Sequence, residues 1–240
     1  MKIAEKFKEK KVGKKLILLF VIIAAVVIIF ILYFLFQKAN KNLILGNNLN
    51  NKTLQEIEEY ILNISSYEAK ITVEVENNKN QTKYVLKQRY TSPNIEKQVV
   101  QEPSNIAGVE IIYDGNKLTI NNSKLNLSTI YENYNYLTDN FLWLNSFIEQ
   151  YQNGKNNGNT KLYEENNQVV MEVKLGSEHP YITNEKLVID KLSGTISKLI
   201  VQDKNQKNLV YILYNEIKIN SLKKEEVLAF RLHDFSIAQY

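Results

Sequence analysis

The chain has 240 residues, no cysteine and a formal net charge of +4. Without cysteine it can form no disulfide bond, and it cannot carry a lipid anchor on a cysteine side chain. Seven lysines near the N-terminus outweigh Glu5 and Glu9 and give that tail a charge of +5. The rest of the chain therefore carries a net charge of about −1. It lacks the positive surface charge that is typical of nucleic-acid-binding proteins.

The first predicted element is a membrane-spanning helix over Leu16 to Phe36, a stretch of 21 residues without a charged residue, Pro or Gly. At about 1.5 Å per residue such a helix spans the roughly 30 Å hydrocarbon core of a bilayer. The residues expected to anchor it are Leu16, Phe20, Val26, Phe30 and Phe36. The alternative is a cleaved signal peptide, but the run is longer than the usual apolar region and no small-residue cleavage site follows it.

The lysines around this helix predict its orientation. Seven lie before it, whereas only Lys38 and Lys41 follow it closely, and the more basic flank usually stays in the cytoplasm. We therefore expect a cytoplasmic basic tail over residues 1–15, the transmembrane helix over 16–36, a polar spacer over 37–52 and an extracytoplasmic domain over 53–240. The domain would then lie in the cell envelope.

The domain is predicted to begin with a helix from Thr53 to Ser65. Thr53 and Glu56 form a Thr-x-x-Glu capping box, and Leu54, Ile57, Ile61 and Ile64 repeat at helical spacing. One apolar stripe of this kind indicates one buried helix face.

After the helix the hydrophobic period changes to two, which predicts strands. Residues 68–76 and 81–90 alternate apolar and polar positions around a turn at 77–80, and a further strand follows at 95–101. Asp114-Gly115 predicts a hairpin between 109 and 121. A second helical region is expected from Thr129 to Tyr151, opened by a capping box of Thr129 and Glu132, broken near residues 137–140 and ended by Gly154.

The remainder predicts five strands and a short closing helix. The strands are expected at 161–165, 169–175, 186–190, 195–202 and 209–220, and the helix at 223–230. Ten or eleven strands with two principal helices indicate an α+β, mainly β domain. The predicted architecture is a curved, antiparallel, incomplete barrel with helices on its concave face.

Three stretches carry a resemblance to a known fold: Ser66 to Asn94, Val109 to Asn122 and Asn184 to Asn220. Their order of hairpins resembles the LolA and LolB type of lipoprotein carrier. Within that superfamily the chain looks most like the clostridial germination lipoprotein GerS and its relatives. It departs from them in having an apolar N-terminal stretch in place of a lipidated cysteine, and from the carriers in having Ser92 rather than arginine before Pro93-Asn94.

The resemblance implies a non-catalytic, membrane-anchored binding module outside the cytoplasmic membrane, and a location in the forespore envelope is one form of that expectation. By analogy with GerS it would support a peptidoglycan (cortex) amidase of the CwlD type during sporulation and be needed for spore germination. Another cell-envelope protein could take the place of that partner. An open barrel also permits strand exchange between copies, so a homodimer is a further expectation.

The sequence contains no recognisable motif for catalysis or for binding a metal or a cofactor. His179 and His233 are the only histidines, and no zinc-binding pair, phosphate loop, dinucleotide fingerprint or serine nucleophile motif occurs. We therefore expect neither catalytic residues nor metal ligands, and no cofactor.

The candidate binding residues form an aromatic stripe in the second helical region. They are Tyr134, Phe141, Trp143, Phe147 and Tyr151, together with Gln88 on the apolar face of its strand. The stripe could simply fill the core of the curved sheet. Alternatively, it could cover a groove between sheet and helix that binds a lipid or lipoprotein acyl chain, with Gln88 at the polar end.

Overall fold

The computed structural model describes residues 49–76, 81–134, 140–176 and 181–228. The predicted tail, transmembrane helix and most of the spacer lie outside these ranges, as do His179 and His233. Among the described residues, no helix combines the length and the apolar character needed to cross a bilayer.

The first helix, α1 (Leu54–Leu62), follows a single turn of 3-10 helix at Leu49–Asn51. Thr53 caps α1 as predicted: its Oγ1 accepts from the backbone N–H of Glu56 at 3.2 Å, and its own N–H donates to the Glu56 carboxylate at 2.8 Å. Two of the unpaired N–H groups at the start of the helix are thereby satisfied. Ile57 and Ile61 are fully buried, so the predicted apolar stripe faces the core.

Eleven strands form one open, curved, antiparallel sheet in the described part of the chain. The strands are β1 (Ser66–Glu76), β2 (Gln81–Thr91), β3 (Ile95–Glu102), β4 (Val109–Tyr113), β5 (Leu118–Asn122), β6 (Leu127–Tyr131), β7 (Thr160–Glu165), β8 (Gln168–Lys174), β9 (Asn184–Asp190), β10 (Thr195–Gln202) and β11 (Asn208–Ile219). Their spatial order is β6-β5-β4-β3-β2-β1-β11-β10-β9-β8-β7. Pairing of β1 with β11 joins two meanders, and β6 and β7 form the two outer edges.

Two further helices pack on opposite faces of this sheet. The helix α2 (Leu144–Asn156) lies on the face that carries Gln88, whose Nε2 donates to the carbonyl of Leu142 just before the helix at 3.2 Å. Arg89 points from the other face, because side chains alternate along a strand, and it donates to the carbonyl of Glu226 in α3 (Lys224–Leu228). The expectation of helices on one face therefore holds for α2 but not for the short α3.

The main core lies between the sheet and the helices α1 and α2. Its largest fully buried side chains include Tyr67 of β1, Phe147 and Tyr151 of α2, Met171 of β8 and Leu187 of β9. The Phe147 and Tyr151 ring centroids are 5.8 Å apart, a distance typical of packed aromatic pairs. Much of the predicted aromatic stripe is thus ordinary core packing.

The prediction of a helix beginning at Thr129 is wrong, because residues 127–131 form strand β6. Helix α2 begins only at Leu144, after Trp143 at the N-cap position, and it runs to Asn156. Gly154 does not end the helix but lies inside its last turn. A Cβ there would come within 2.7 Å of Val173 Cγ2, so the helix can approach β8 only because this residue lacks a side chain.

Candidate binding surface

Strand β6 is an exposed and apolar edge of the sheet. It pairs with β5 on one side, and all five of its residues are exposed. Leu127 is 61% exposed, Ile130 54% and Tyr131 48%, and the sequence LSTIY contains no charge. An edge strand presents a row of backbone donors and acceptors that a further strand can use, and soluble proteins usually protect such edges with charged residues. That protection is missing along β6.

The opposite edge, β7, is protected in the usual way. Its six residues include Lys161, Glu164 and Glu165. Glu164 forms an ion pair with Lys191 at 2.7 Å, and Lys161 lies 3.9 Å from the carboxylate of Glu172. Of the two edges, β6 is therefore the one without charged side chains.

An apolar groove of about 200 Å³ lies beside β6, on the same face of the sheet as α2. Strands β3, β4 and β5 form its floor, and Tyr134, Asn140 and Trp143 lie at one side. It is lined by Glu96, Gln98, Ile111, Tyr113, Leu118, Ile120, Tyr134, Asn140 and Trp143. Most of these side chains are apolar or aromatic, and the polar ones come mainly from β3.

Aromatic rings connect the edge to the groove. The ring of Tyr131 on β6 lies 6.4 Å from that of Tyr134, which lies 6.2 Å from Tyr113 in an edge-to-face arrangement. The strand register supports the same connection, because Leu118 in the groove pairs directly with Tyr131. A partner that binds along β6 would therefore lie next to the open side of the groove.

The predicted aromatic stripe is divided between core and groove. Phe147 and Tyr151 are at most 1% exposed and belong to the core, whereas Tyr134 and Trp143 line the groove and Phe141 is partly buried. Trp143 also packs against Tyr67, with ring centroids 6.5 Å apart. The structure therefore leaves only part of the stripe accessible to a ligand.

Tyr151 holds the two larger helices together. Its hydroxyl donates to Glu58 Oε1 of α1 at 2.8 Å, and Lys155 approaches the other oxygen of that carboxylate at 2.5 Å. Burial, and then the hydrogen bond to the Glu58 carboxylate, raise the pKa of Tyr151 far above its ordinary value. These contacts give Tyr151 a structural role at the interface of α1 and α2.

Gln88 is fully buried, as its position on the apolar face of β2 suggested. Its Nε2 donates to Gln98 Oε1 at 2.9 Å and to the carbonyl of Leu142. Gln98, rather than Gln88, reaches the groove. Gln88 therefore supports the groove from beneath and fixes the segment that enters α2.

The sequence analysis missed two features of this surface: the edge strand β6 and the carboxylate of Glu96. Glu96 is 6% exposed and its Oε1 accepts from Asn145 Nδ2 at 2.9 Å. The β-branched and aromatic residues of LSTIY could have indicated a strand, but the Thr-x-x-Glu spacing favoured a helix. No local signal shows that Glu96 lies in a groove, because the groove is formed by several distant strands.

The described ranges contain no group of three His, Cys, Asp or Glu side chains placed to hold a metal ion.

Residues 14–228 match a protein-family model described as "Sporulation protein YdcC-like". The chain belongs to this family of YdcC-like sporulation proteins. No protein with a curated description matches it.

Several solved structures resemble this family member loosely. A chain in the structure of the CwlD amidase from Clostridioides difficile in complex with the GerS lipoprotein is 23% identical, with 70% of this chain and 94% of that chain covered and a TM-score of 0.43. For an uncharacterized conserved protein from Thermus thermophilus the identity is 11%, the coverage 74% and 94%, and the TM-score 0.47. A LolA superfamily protein from Nitrosomonas europaea has 11% identity, 73% and 97% coverage, and a TM-score of 0.38. These likenesses assign neither a ligand nor a partner.

Proposed function

We propose that this YdcC-like sporulation protein is a non-catalytic, membrane-anchored binding module that docks a cell-envelope enzyme along strand β6. The partner we propose is a peptidoglycan amidase of the CwlD type. This fits a protein that acts in sporulation, and the sequence resemblance to GerS suggests the same class of partner. We further propose that the domain lies outside the cytoplasmic membrane, held by the predicted helix over residues 16–36.

The observation that carries the proposal is the open, uncharged edge of β6. A partner segment in extended conformation would pair with the outer backbone groups of this strand and continue the sheet. Its side chains would alternate, and those on the groove side would meet Leu127 and Tyr131, which are exposed now. Backbone pairing supplies affinity in this mode, while the apolar side chains select the segment.

The chain provides a matched control for testing this edge. Leu127 and Ile130 on β6 are 61% and 54% exposed, and Leu192, in the turn between β9 and β10, is 55% exposed. The double substitution Leu127→Lys and Ile130→Lys would add charge to the edge without opening a cavity. Leu192→Lys adds one lysine in place of one leucine, at a similar exposure elsewhere on the surface.

The assay is the affinity of the full-length chain for the purified amidase from the same organism, measured by calorimetry in a neutral detergent. We expect the β6 double variant to bind at least about ten-fold more weakly. The loss of an interface hot spot typically costs more than about 1.4 kcal/mol, which corresponds to a factor of ten in affinity. Leu192→Lys should bind like the wild type. An unmodified chain that does not bind the amidase would refute the partner, and equal affinity of all three chains would refute the edge.

A lipid or lipoprotein acyl chain in the groove is the second candidate, supported by the apolar lining. The size of the groove argues against it. Pockets for drug-sized ligands occupy about 300–1,000 Å³, whereas this groove measures about 200 Å³. Phe147 and Tyr151, which the lipid hypothesis placed over the groove, are buried in the core and do not line it.

A further inference from the structure

The groove combines a carboxylate with three aromatic rings. Glu96 lines it from β3, and Tyr113, Tyr134 and Trp143 line it from β4 and from the segment that leads into α2. Aromatic faces attract cations through their quadrupole, and several such faces around one carboxylate form a typical site for an organic ammonium group. The polar end of the groove is therefore suited to a positive charge.

The contacts of Glu96 fix its position. The side chain is 6% exposed, and Asn145 on the first turn of α2 donates to its Oε1 at 2.9 Å. Asn145 is one of the groups that interact with this carboxylate, which can accept about four hydrogen bonds. An ammonium group in the groove would add a charge-assisted contact to those that Glu96 already makes.

Two carboxylates make the surroundings of Tyr113 electrically negative. Burial raises the pKa of Tyr113 most, and burial disfavours a charge of either sign. The negative charges of Asp114 and Glu96 raise this pKa further, and it is this smaller contribution that favours a cation nearby.

The shape of the groove limits what can carry the charge. Ile111 and Ile120 lie on its floor, so the part of the ligand above them should be aliphatic. Its volume of about 200 Å³ suits a single unbranched side chain better than a lipid tail.

We propose that the groove binds a primary ammonium group on an unbranched aliphatic stem, presented as a lysine side chain by a protein partner. This site is separate from the backbone pairing proposed for β6. A strand added beside β6 would lie about 10 Å from β5, two strand spacings away, and farther still from Glu96 on β3. The lysine therefore comes from a part of the partner outside the docked strand.

The test uses two small probes that differ by the ammonium group: N-acetyl-lysine methylamide and N-acetyl-norleucine methylamide. Trp143 is the only tryptophan of the chain and lines the groove, so its fluorescence reports binding directly. We expect the full-length chain to bind the lysine probe about ten-fold more tightly than the norleucine probe, a preference of the size that cation–π and charge-assisted contacts provide.

Two glutamates on one strand supply the matched variants. Glu96→Gln should reduce the affinity for the lysine probe to that for the norleucine probe. Glu102→Gln, on the same strand but exposed, should leave both affinities unchanged. If Glu96→Gln perturbs the fold by circular dichroism, Tyr134→Leu replaces it, because that change removes one aromatic face and should also reduce the lysine preference.

Equal affinity of the wild-type chain for both probes would overturn the proposal, as would a lysine preference that Glu96→Gln or its substitute leaves intact. Neither probe needs the edge of β6. Loss of amidase binding in the β6 variant with a preserved lysine preference would therefore separate the two proposals.

Discussion

Replacement of Phe147 by Ala tests whether the aromatic stripe is core rather than a lid. Phe147 has no exposed surface and packs against Tyr151 on the same helix. Truncation of a buried Phe costs about 3–5 kcal/mol, because the transfer free energy is lost and a cavity remains. A domain of 150–250 residues loses about 2–4 °C in Tm per kcal/mol, so Phe147→Ala should lower Tm by about 6–20 °C.

The matched change is Phe141→Ala, outside the helix and only partly buried. It should cost less than half as much stability, because less surface is removed from the interior. Thermal unfolding followed by circular dichroism measures both variants under the same conditions. A decrease of less than about 2 °C for Phe147→Ala, or an equal decrease for both variants, would refute the division of the stripe into core and groove residues.

The next two predictions concern a buried ion pair and a single carboxylate. Lys97 and Glu110 form an ion pair of 2.6 Å with side chains that are 3% and 8% exposed, so Lys97→Met should cost about 3–5 kcal/mol in urea unfolding. The double variant Lys97→Met and Glu110→Leu should recover most of that loss, and a double variant as unstable as the single one would contradict this account. Hydrogen bonds lower the pKa of Asp190, first from the backbone N–H of Ser193 and then from the Ser193 hydroxyl. The ionised carboxylate therefore stabilises the fold at a pH above its unfolded pKa of about 3.9. This stability is lost as the pH falls through the lower pKa of the folded state. Asp190→Asn should therefore reduce the loss of stability between pH 5 and pH 3, and an unchanged pH profile would exclude this contribution.

The elements predicted well from the sequence are those specified by neighbouring residues. The capping box at Thr53 and Glu56 satisfies backbone groups within one turn, and the alternation in residues 66–91 places one side of a hairpin in the core whatever the rest of the chain does. Asp114-Gly115 fixes the next hairpin locally, with Gly115 at a φ of +98°. Such signals need no knowledge of distant contacts.

Residues 127–131 show where local reasoning failed. Thr129 and Glu132 have the spacing of a capping box, while Thr129, Ile130 and Tyr131 are β-branched or aromatic residues of the kind that favours a strand. The two patterns are locally of similar strength. Pairing of all five residues with β5 decides between them, and a β ladder of that kind depends on a neighbouring strand that local patterns do not reveal.

The same reason explains why the candidate site was only partly predictable. Trp143 and Tyr134 stood out as large aromatic residues, but Glu96 looked like an ordinary polar residue of an alternating strand. Its character depends on the pairing of β3 with β4 and on Asn145 at the start of α2. Burial of a carboxylate in a groove is a property of three elements at once.

Strand β6 itself provides a last argument for an added strand. Ordering a residue costs about 1–2 kcal/mol in backbone entropy, and inner strands offset that cost with two ladders and buried side chains. The strand β6 has a ladder on one side, and none of its five residues is buried. The other edge strand, β7, also has one ladder and no buried residue, but three of its six residues are partly buried, whereas all five of β6 are exposed. A second ladder on the outer side of β6 would add the missing backbone hydrogen bonds. We therefore expect hydrogen exchange of the β6 amides to be the fastest among the strands of the free chain and to slow when the partner binds. Exchange that stays fast in the complex would place the partner elsewhere on the surface.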